Sequence, residues 1–262
     1  MFDSLYIGAT GMVAQQSQLD VIANNLANLN TVGYRRGIVS FSEVSAALAP
    51  SALDPLTGPT TVAAADSAGA GAIAQTSLSM LAGSFENTGQ PLDVAINGVG
   101  FFEVLGSDGT PTYTRAGSLR VNQDGLLSVA DGSPLAAQIQ IPADAQNVTI
   151  ATDGKVTATF PSAKSAVLLG RIELVNFPNP AALTVAGSTR YTAPAEAGAP
   201  QTGAPGTEGL GQLQQGYLET SDVQMTQEMV TLMLAQRGFE LNSRVVQAAD
   251  QLWSITNGLQ RS

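Results

Sequence analysis

The sequence predicts an α+β protein in which long N- and C-terminal helices form a coiled-coil-like pair and flank a central antiparallel all-β domain. Three observations predict this class: an apolar heptad repeat near the N-terminus, two apolar lines near the C-terminus, and short β-rich runs between turn-forming pairs in the middle. Helices repeat with a period of 3.6 residues and strands with a period of two. Each change of period along the chain therefore indicates a change of element.

The N-terminal helix is predicted over residues 3 to about 30. No proline occurs there, and Gly11 is the last glycine before Gly33. The apolar repeat consists of Leu5, Met12, Leu19 and Leu26, with Ile22 and Leu29 three positions after two of them. Sevenfold spacing of this kind is typical of a helix that buries a narrow stripe against a partner helix.

The C-terminal helix is predicted from about Ser221 to Leu259, where Ser221 or Asp222 would cap the first turn. One apolar line contains Met225, Met229, Leu232, Phe239, Val246 and Trp253, interrupted by Gln236 and Ser243. The other contains Leu234, Gly238, Leu241, Val245, Ala248, Leu252, Ile255 and Leu259. A helix with two apolar faces needs more than one neighbour.

The central β domain is predicted over residues 92–192. Its strands are expected at 94–96, 101–105, 119–121, 126–129, 148–150 and 172–175. The turn-forming pairs are Asn97-Gly98, Asp108-Gly109, Asp124-Gly125, Asp131-Gly132 and Asp153-Gly154. Such pairs between β-rich runs are typical of antiparallel hairpins.

Composition sets the other boundaries. The two helices would occupy residues 1–36 and 217–262, and residues 193–216 would form a connector rich in Gly and Pro. Residues 37–91 are rich in Ala, Gly and Pro and are interpreted as a linker or an inter-subunit segment. A flexible surface insertion fits the composition of residues 37–91 equally well.

The composition excludes several kinds of chemistry. The 262 residues include 11 Lys and Arg, 21 Asp and Glu, and neither His nor Cys. A hydrolase that uses imidazole or thiol is therefore excluded, as is a zinc site built from Cys and His. The net charge of −10 argues against nucleic acid and anionic membranes as partners. We expect no metal and no cofactor.

Charged residues make up 12% of the chain, about half the usual share. A monomer with so few charges would have a poorly solvated surface, so this favours a surface covered by other chains. The first basic residue is Arg35, and no long apolar run occurs. We therefore expect neither a cleaved signal peptide nor direct membrane insertion.

Two carboxylate pairs are candidates for acid and base catalysis on a glycan, Glu103 with Asp108 and Glu219 with Asp222. Among 21 acidic residues, pairs at such short spacing are expected by chance. We therefore predict no catalytic residues. A periplasmic glycan-acting enzyme stays open as an alternative, and it would require two carboxylates in a concave pocket of the β domain.

A motif near the end of the first helix is more specific. It reads Ala23-Asn24-Asn25-Leu26-Ala27-Asn28 and is followed by Thr31, Gly33, Tyr34 and Arg35. This pattern resembles the N-terminal signature of the bacterial flagellar rod and hook family. Residues 93–102, 113–118 and 123–125 look like the central β domain of that family, and residues 216–223 and 236–243 look like its C-terminal hallmark. Residues 37–91 do not clearly match the family.

The resemblance implies a structural subunit, not an enzyme, that polymerises helically into the distal rod, the drive shaft that transmits torque to the hook. Implied partners are further copies of the chain, proximal rod subunits, hook subunits, ring proteins that act as a bushing, and the type III export apparatus. The implied location is the flagellar basal body, spanning the periplasm, after export without a cleaved signal peptide. A proximal rod or hook subunit remains the alternative within the family.

The predicted polymer interface lies on both helices. It comprises Leu5, Met12, Leu19, Ile22, Asn24, Asn25, Leu26, Asn28, Leu29, Met229, Leu232, Gln236, Phe239, Leu241, Asn242, Val245 and Leu252. The terminal helices would pair within and between subunits and form an inner tube domain.

Overall fold

The computed structural model describes residues 2–44, 71–106, 108–161, 165–187, 189–207 and 209–259. Side chains are described within these ranges except at 2–7, 42–44, 71–73, 250 and 252–259. The chain divides into two compact units. The helical unit comprises Met1–Asn24, Val39–Thr76 and Thr226–Ser262, and the β body comprises Asn25–Ile38 and Ser77–Met225.

Helix α1 spans Phe2–Ala27 and helix α2 spans Met225–Leu259. The prediction of a long helix near each end of the chain is confirmed. Helix α2 begins later than predicted because both candidate caps are engaged in the loop before it. The hydroxyl of Ser221 accepts a hydrogen bond from the backbone N–H of Val223 at 3.3 Å. The carboxylate of Asp222 accepts one from Arg36.

Within the helical unit, the two helices lie side by side and antiparallel. Three glycines mark where they face each other: Gly8 faces Val246, Gly11 faces Asn242, and Gly238 faces Gln15. A Cβ atom added at Gly8 would lie only 2.9 Å from Cγ2 of Val246. The contact therefore depends on glycines that admit the facing side chains. At these three positions the helix pair brings glycines against Val246 and the amide side chains of Asn242 and Gln15.

The described strands are β1 (Gly37–Val44), β2 (Gly71–Leu78), β3 (Phe85–Asn87), β4 (Val94–Asn97), β5 (Phe101–Leu105), β6 (Pro111–Thr114), β7 (Leu119–Val121), β8 (Leu127–Val129), β9 (Asn147–Ile150), β10 (Lys155–Thr159), β11 (Val167–Arg171), β12 (Leu174–Asn176), β13 (Thr184–Val185), β14 (Arg190–Thr192), β15 (Gln201–Gly203), β16 (Gln212–Gln215) and β17 (Tyr217–Glu219). Short 3₁₀ helices occur at Pro180–Ala182 and Ala195–Ala197. The glycines of all five predicted Asx-Gly turns have positive φ, which confirms those turns.

The strands of the described residues form several small sheets. The largest has six strands in the order β13-β14-β6-β5-β12-β15, and a three-stranded sheet has the order β11-β10-β9. Two-stranded sheets pair β1 with β2, β4 with β16, β3 with β17, and β7 with β8. The described pairs within the β body are antiparallel.

The predicted fold class is corrected on its β part. Strands are not confined to one central all-β domain, because they extend from Gly37 to Glu219 and divide among separate sheets. Strands such as β15 and β16 lack a clear apolar alternation. They form because their backbone groups pair with β12 and β4, which are distant in the sequence.

The core of the β body consists of two clusters on opposite faces of strand β5. Phe102 joins the larger cluster, with Val94, Ile96 and Leu174 among its members. Phe101 joins the smaller, aromatic cluster with Tyr113, Phe177 and Tyr191. Neighbouring residues of a strand point to opposite faces, so this one strand anchors both clusters. The rings of Tyr113 and Phe177 meet edge to face at 4.7 Å between centroids.

Neither described helix is long and apolar enough to cross a membrane. Among the side chains that the structure describes, no cluster of acidic residues is arranged to hold a metal ion.

Candidate assembly surface and junction

The predicted interface residues differ widely in exposure. Ile22 and Asn25 are buried, whereas Asn24, Met229, Gln236, Phe239, Leu241 and Val245 are exposed. Met12, Leu19, Leu26, Asn28, Leu29, Leu232 and Asn242 are half-buried. Leu5 and Leu252 lie outside the residues whose side chains are described.

Helix α2 exposes a group of large apolar side chains that we call the α2 apolar face. It comprises Met225, Met229, Val230, Met233, Leu234, Phe239, Leu241 and Val245. Leu241 is 61% exposed and Leu234 is 63% exposed. These side chains spread around more than half of the helix circumference, and exposed apolar side chains on a single chain are typical of protein–protein contacts. Val230, Met233 and Leu234 are not among the predicted interface residues, although their exposure qualifies them.

Within the β body, a buried ion triad links three distant segments of the chain. One carboxylate oxygen of Glu219 lies 2.9 Å from Nη2 of Arg35, and the other lies 2.8 Å from Nη2 of Arg115. Arg115 also donates from Nη1 to the carbonyl oxygens of Gly98 and Gly100 at 2.9 and 2.6 Å. All three charged side chains are at most 5% exposed.

Burial sets the electrostatics of this triad. Desolvation lowers the pKa of Arg115, and the neighbouring carboxylate of Glu219 opposes that shift. Removing one member of such a group costs about 3–5 kcal/mol, since it leaves an uncompensated buried charge. The geometry of the triad is therefore strongly specified.

Asn25 stands in the last turns of α1 and binds the chain that follows the helix. Its Nδ2 donates to the carbonyl of Gly37 at 3.0 Å, and its Oδ1 accepts from the N–H of Gly37 at 2.9 Å. The hydroxyl of Tyr34 also donates to Oδ1, at 3.1 Å. These bonds require a donor and an acceptor in one short side chain, which explains why asparagine occupies this position.

Gly33 forms the turn between the helix and the triad. Its φ is +70°, and a Cβ atom there would lie 2.5 Å from the backbone of both Arg115 and Ala116. Its N–H donates to the carbonyl of Glu219 at 2.8 Å. The close approach and the left-handed conformation each require glycine.

Arg36 connects two further segments through its backbone. Its N–H donates to Oδ1 of Asp222 at 2.7 Å, and its carbonyl accepts from the N–H of Ser79 at 2.8 Å. Beside it, the N–H of Arg35 donates to the hydroxyl of Tyr191 at 3.3 Å. Burial raises the pKa of Tyr191 to about 12.

Sequence reasoning missed the triad, although a signal was present. Arg35, Arg115 and Glu219 each belong to a different motif that carries the family resemblance. The chain has few basic residues, yet Arg35 and Arg115 each lie inside a motif. A buried arginine needs an acidic partner. The motif at residues 216–223 contains two carboxylates, Glu219 and Asp222, and Glu219 is the one that pairs with both arginines.

The two candidate carboxylate pairs are engaged in other contacts. Glu219 binds two arginines and Asp222 binds backbone, as described above. Asp108 accepts a hydrogen bond from the hydroxyl of Thr110 at 2.7 Å within its own turn. Glu103 lines a shallow cavity of about 310 Å³ together with Glu173. Burial and the charge of Glu173 raise the pKa of Glu103.

Exposed apolar side chains on α2 and a body held by a buried ion triad are features of a structural protein with surface available to other chains. Three family profiles match the chain. The flagellar hook protein FlgE/F/G D1 domain covers residues 95–158, the flagellar basal body rod FlgEFG protein C-terminal region covers residues 214–259, and the flagella basal body rod protein profile covers residues 5–35.

Curated relatives agree over the full length. The flagellar basal-body rod protein FlgG of Borreliella burgdorferi is 36% identical over all of both chains. FlgG of Agrobacterium fabrum is 38% identical over 97% of this chain and 98% of its own. FlgG of Bacillus subtilis is 37% identical over all of both chains. The chain belongs to the FlgG family of flagellar basal-body rod proteins.

Family membership confirms the resemblance to the flagellar rod and hook proteins, and within them to the distal rod type. The chain is a structural subunit that assembles into the flagellar basal-body rod. Because the family consists of structural rod and hook proteins, the prediction that the chain is not an enzyme is also confirmed.

Proposed function

We propose that copies of this chain join through the α2 apolar face and the apolar stripe of α1, as the sequence predicts for the polymer interface. The exposure of Leu234, Leu241 and Val245 in the single chain supports this assignment. On α1, Val13 is also 68% exposed. Burial of such side chains between copies contributes about 25 cal/mol per Å² of apolar surface.

Contacts of this kind must be heterologous, because one patch repeated around a two-fold axis closes into a dimer. A head-to-tail contact that does not close on itself generates a helical filament. The sparse charge of the chain, 12% of its residues, fits a subunit whose surface is largely covered by copies.

Residues 37–91 serve in this proposal as an inter-subunit segment, and residues 1–36 and 217–262 supply the inner tube domain. Strand β1 lies in the inter-subunit segment. Its side chains Ile38 and Phe41 are 40% and 47% exposed. Exposed apolar residues on a two-stranded sheet are well suited to a neighbouring copy, since a lone hairpin is marginal in water.

The rod position implies further partners. We propose proximal rod subunits at one end, hook subunits at the other, and ring proteins that surround the shaft as a bushing. Export would proceed through the flagellar type III apparatus, and the assembled rod would span the periplasm. Family membership and the full-length similarity to FlgG proteins support these assignments.

The test is electron microscopy of the purified chain under polymerising conditions, with the variant Leu241→Asp. We expect rod-like polymers from the unchanged chain and none from the variant, because a buried unpaired carboxylate is costly. Gln247→Asp adds the same charge at an exposed position about 120° around the helix from Leu241, and it should impair polymerisation less because no apolar side chain is replaced. Circular dichroism should show an intact fold in both variants.

Normal polymers from Leu241→Asp would refute the assignment of the α2 apolar face. A complete lack of polymers from the unchanged chain would count against self-assembly through this chain alone.

A further inference from the structure

The chain passes between the β body and the helical unit at four points. The two segments of the β body begin and end at Asn25, Ile38, Ser77 and Met225. Force that travels along the chain from one unit to the other must pass through these four connections. Four separate connections would share such a force unevenly, because each can rotate about its own backbone bonds.

Hydrogen bonds within the β body tie the four connections to one another. Asn25 binds both backbone groups of Gly37, which joins the first connection to the second. Arg36 accepts from Ser79, which joins the second connection to the third. Arg36 also donates to Asp222, which joins the second connection to the fourth. We call this set of bonds the junction.

The ion triad supports the junction from the interior of the body. Arg35 precedes Arg36 and reaches Glu219, which lies shortly before Asp222. The carboxylate of Glu219 also accepts from the N–H of Gly83 at 3.1 Å, just beyond Ser79. The second, third and fourth connections therefore share one buried carboxylate. Asn25, Arg36 and Asp222 belong to neither core cluster of the β body.

We propose that the junction distributes torque among the four connections. When the subunit is twisted, the four connections then rotate together as one rigid body. This inference rests on the proposed rod function, since a shaft subunit must carry torque between its parts. A hydrogen bond between two connections limits their rotation relative to each other. When that bond is lost, each connection can rotate independently under load. The junction thus sets the torque that a subunit tolerates without setting whether the body folds.

The first test is limited proteolysis of the full chain with trypsin, which cleaves after Arg35 and Arg36. Asn25→Ala removes the bonds to Gly37, and Asp222→Ala removes the bond to Arg36. In both variants we expect cleavage at these arginines to be roughly tenfold faster, because local opening becomes easier. Asn30→Ala, an exposed position in the same loop, is the matched control and should cleave like the unchanged chain.

The second test measures swimming of cells that carry Asp222→Ala or Asn30→Ala as their only copy, in media of increasing viscosity. We expect normal swimming at low viscosity and a loss of at least half the speed, relative to Asn30→Ala, at high viscosity. Cleavage and viscosity response equal to those of the control would overturn the proposal. An equal loss of swimming at every viscosity would overturn it too, since that result indicates an assembly defect.

If Asn25→Ala does not fold, Asp222→Ala alone decides, because it removes an acceptor without changing a helix. Failure of the junction proposal is distinguishable from failure of the proposed function. Variant subunits that form normal rods with unchanged torque tolerance refute only the junction, whereas an unchanged chain that forms no polymers refutes the rod assignment.

Discussion

The β body and the helical unit differ in how completely each buries its apolar side chains. The body packs large residues such as Phe102, Leu127 and Leu174 into closed clusters with essentially no exposure. The buried apolar side chains described in the helical unit are Ala14, Ile22 and Ala235. Large apolar residues of α2 such as Leu234 and Leu241 instead lie on its surface.

Among the described side chains, the body therefore closes its own core, whereas the helical unit leaves large apolar residues exposed. Burial of large apolar side chains is the main favourable term in folding. The two alanines and one isoleucine that are buried among the described side chains of the helical unit contribute little of that free energy. Its remaining apolar surface is available to other copies, as the proposed function requires.

The largest expected effect tests the body as an independently stable unit. Phe102→Ala should lower its free energy of unfolding by about 3–5 kcal/mol, since the side chain is fully buried. Phe239→Ala, on the exposed face of α2, should change the unfolding of the single chain by less than about 1 kcal/mol and should weaken polymerisation instead. Urea unfolding and sedimentation measure the two effects. Equal losses of stability in the two variants would contradict the difference in burial between the body and the helical unit.

The next effect tests the turn that holds the junction in the body. Gly33→Ala should destabilise the body by about 2–4 kcal/mol, because the added methyl group overlaps the backbone of Ala116. Gly89→Ala is the matched control, with a similar φ of +65° but nothing within 4 Å of the added atom. The control should cost about 1 kcal/mol. If the two variants unfold at the same urea concentration, the close approach at Gly33 is unimportant.

A smaller effect concerns the pH dependence of the body. Tyrosine in an unfolded chain ionises near pH 10, whereas burial raises the pKa of Tyr191 to about 12. The unfolded state therefore releases its proton first, and the contribution of Tyr191 to stability is lost as the pH rises from 10 to 12.

The variant Tyr191→Phe should not show this loss of stability between pH 10 and 12. Its deficit relative to the unchanged chain, about 1 kcal/mol for the hydrogen bond from Arg35, should be constant below pH 10 and should shrink above it. Thermal unfolding at pH 8, 9, 10 and 11 measures the difference. A constant deficit across this range would argue against a buried phenol.

The smallest effect probes the helical unit. Gly238→Ala should stabilise it by less than about 1 kcal/mol, because the gain in helix propensity exceeds a small displacement of Gln15. The added atom would lie 3.1 Å from that flexible side chain. Hydrogen exchange in α2 measures the change. A clear destabilisation would mean that the helix contact has no room for a methyl group.

Periodicity was sufficient to predict the elements that are stabilised by local pattern. The N-terminal helix was expected at residues 3 to about 30 and spans Phe2–Ala27, and β5 and β7 have the predicted bounds. Strands β16 and β17 could not be predicted in this way. They contain polar or mixed residues, and their partners β4 and β3 lie more than a hundred residues away in the sequence.

Local sequence pattern also limits how much of the α2 apolar face and of the ion triad could be predicted. Exposure of Leu241 and Phe239 follows from a helix with more apolar faces than one neighbour can cover, so part of the α2 apolar face was predictable. The pairing of Arg35 with Glu219 depends on the chain folding back to itself after the whole body has formed. A local pattern carries no information about such a pairing.

The Asp-Gly turns have a practical consequence for visualising the rod in cells. Helices α1 and α2 supply the proposed contacts between copies, so a fluorescent tag fused next to either helix would compete with those contacts. The Asp108-Gly109 turn belongs to the body instead, and nothing lies within 4 Å of a side chain added at Gly109. A small peptide tag inserted there would report on rod length without blocking growth.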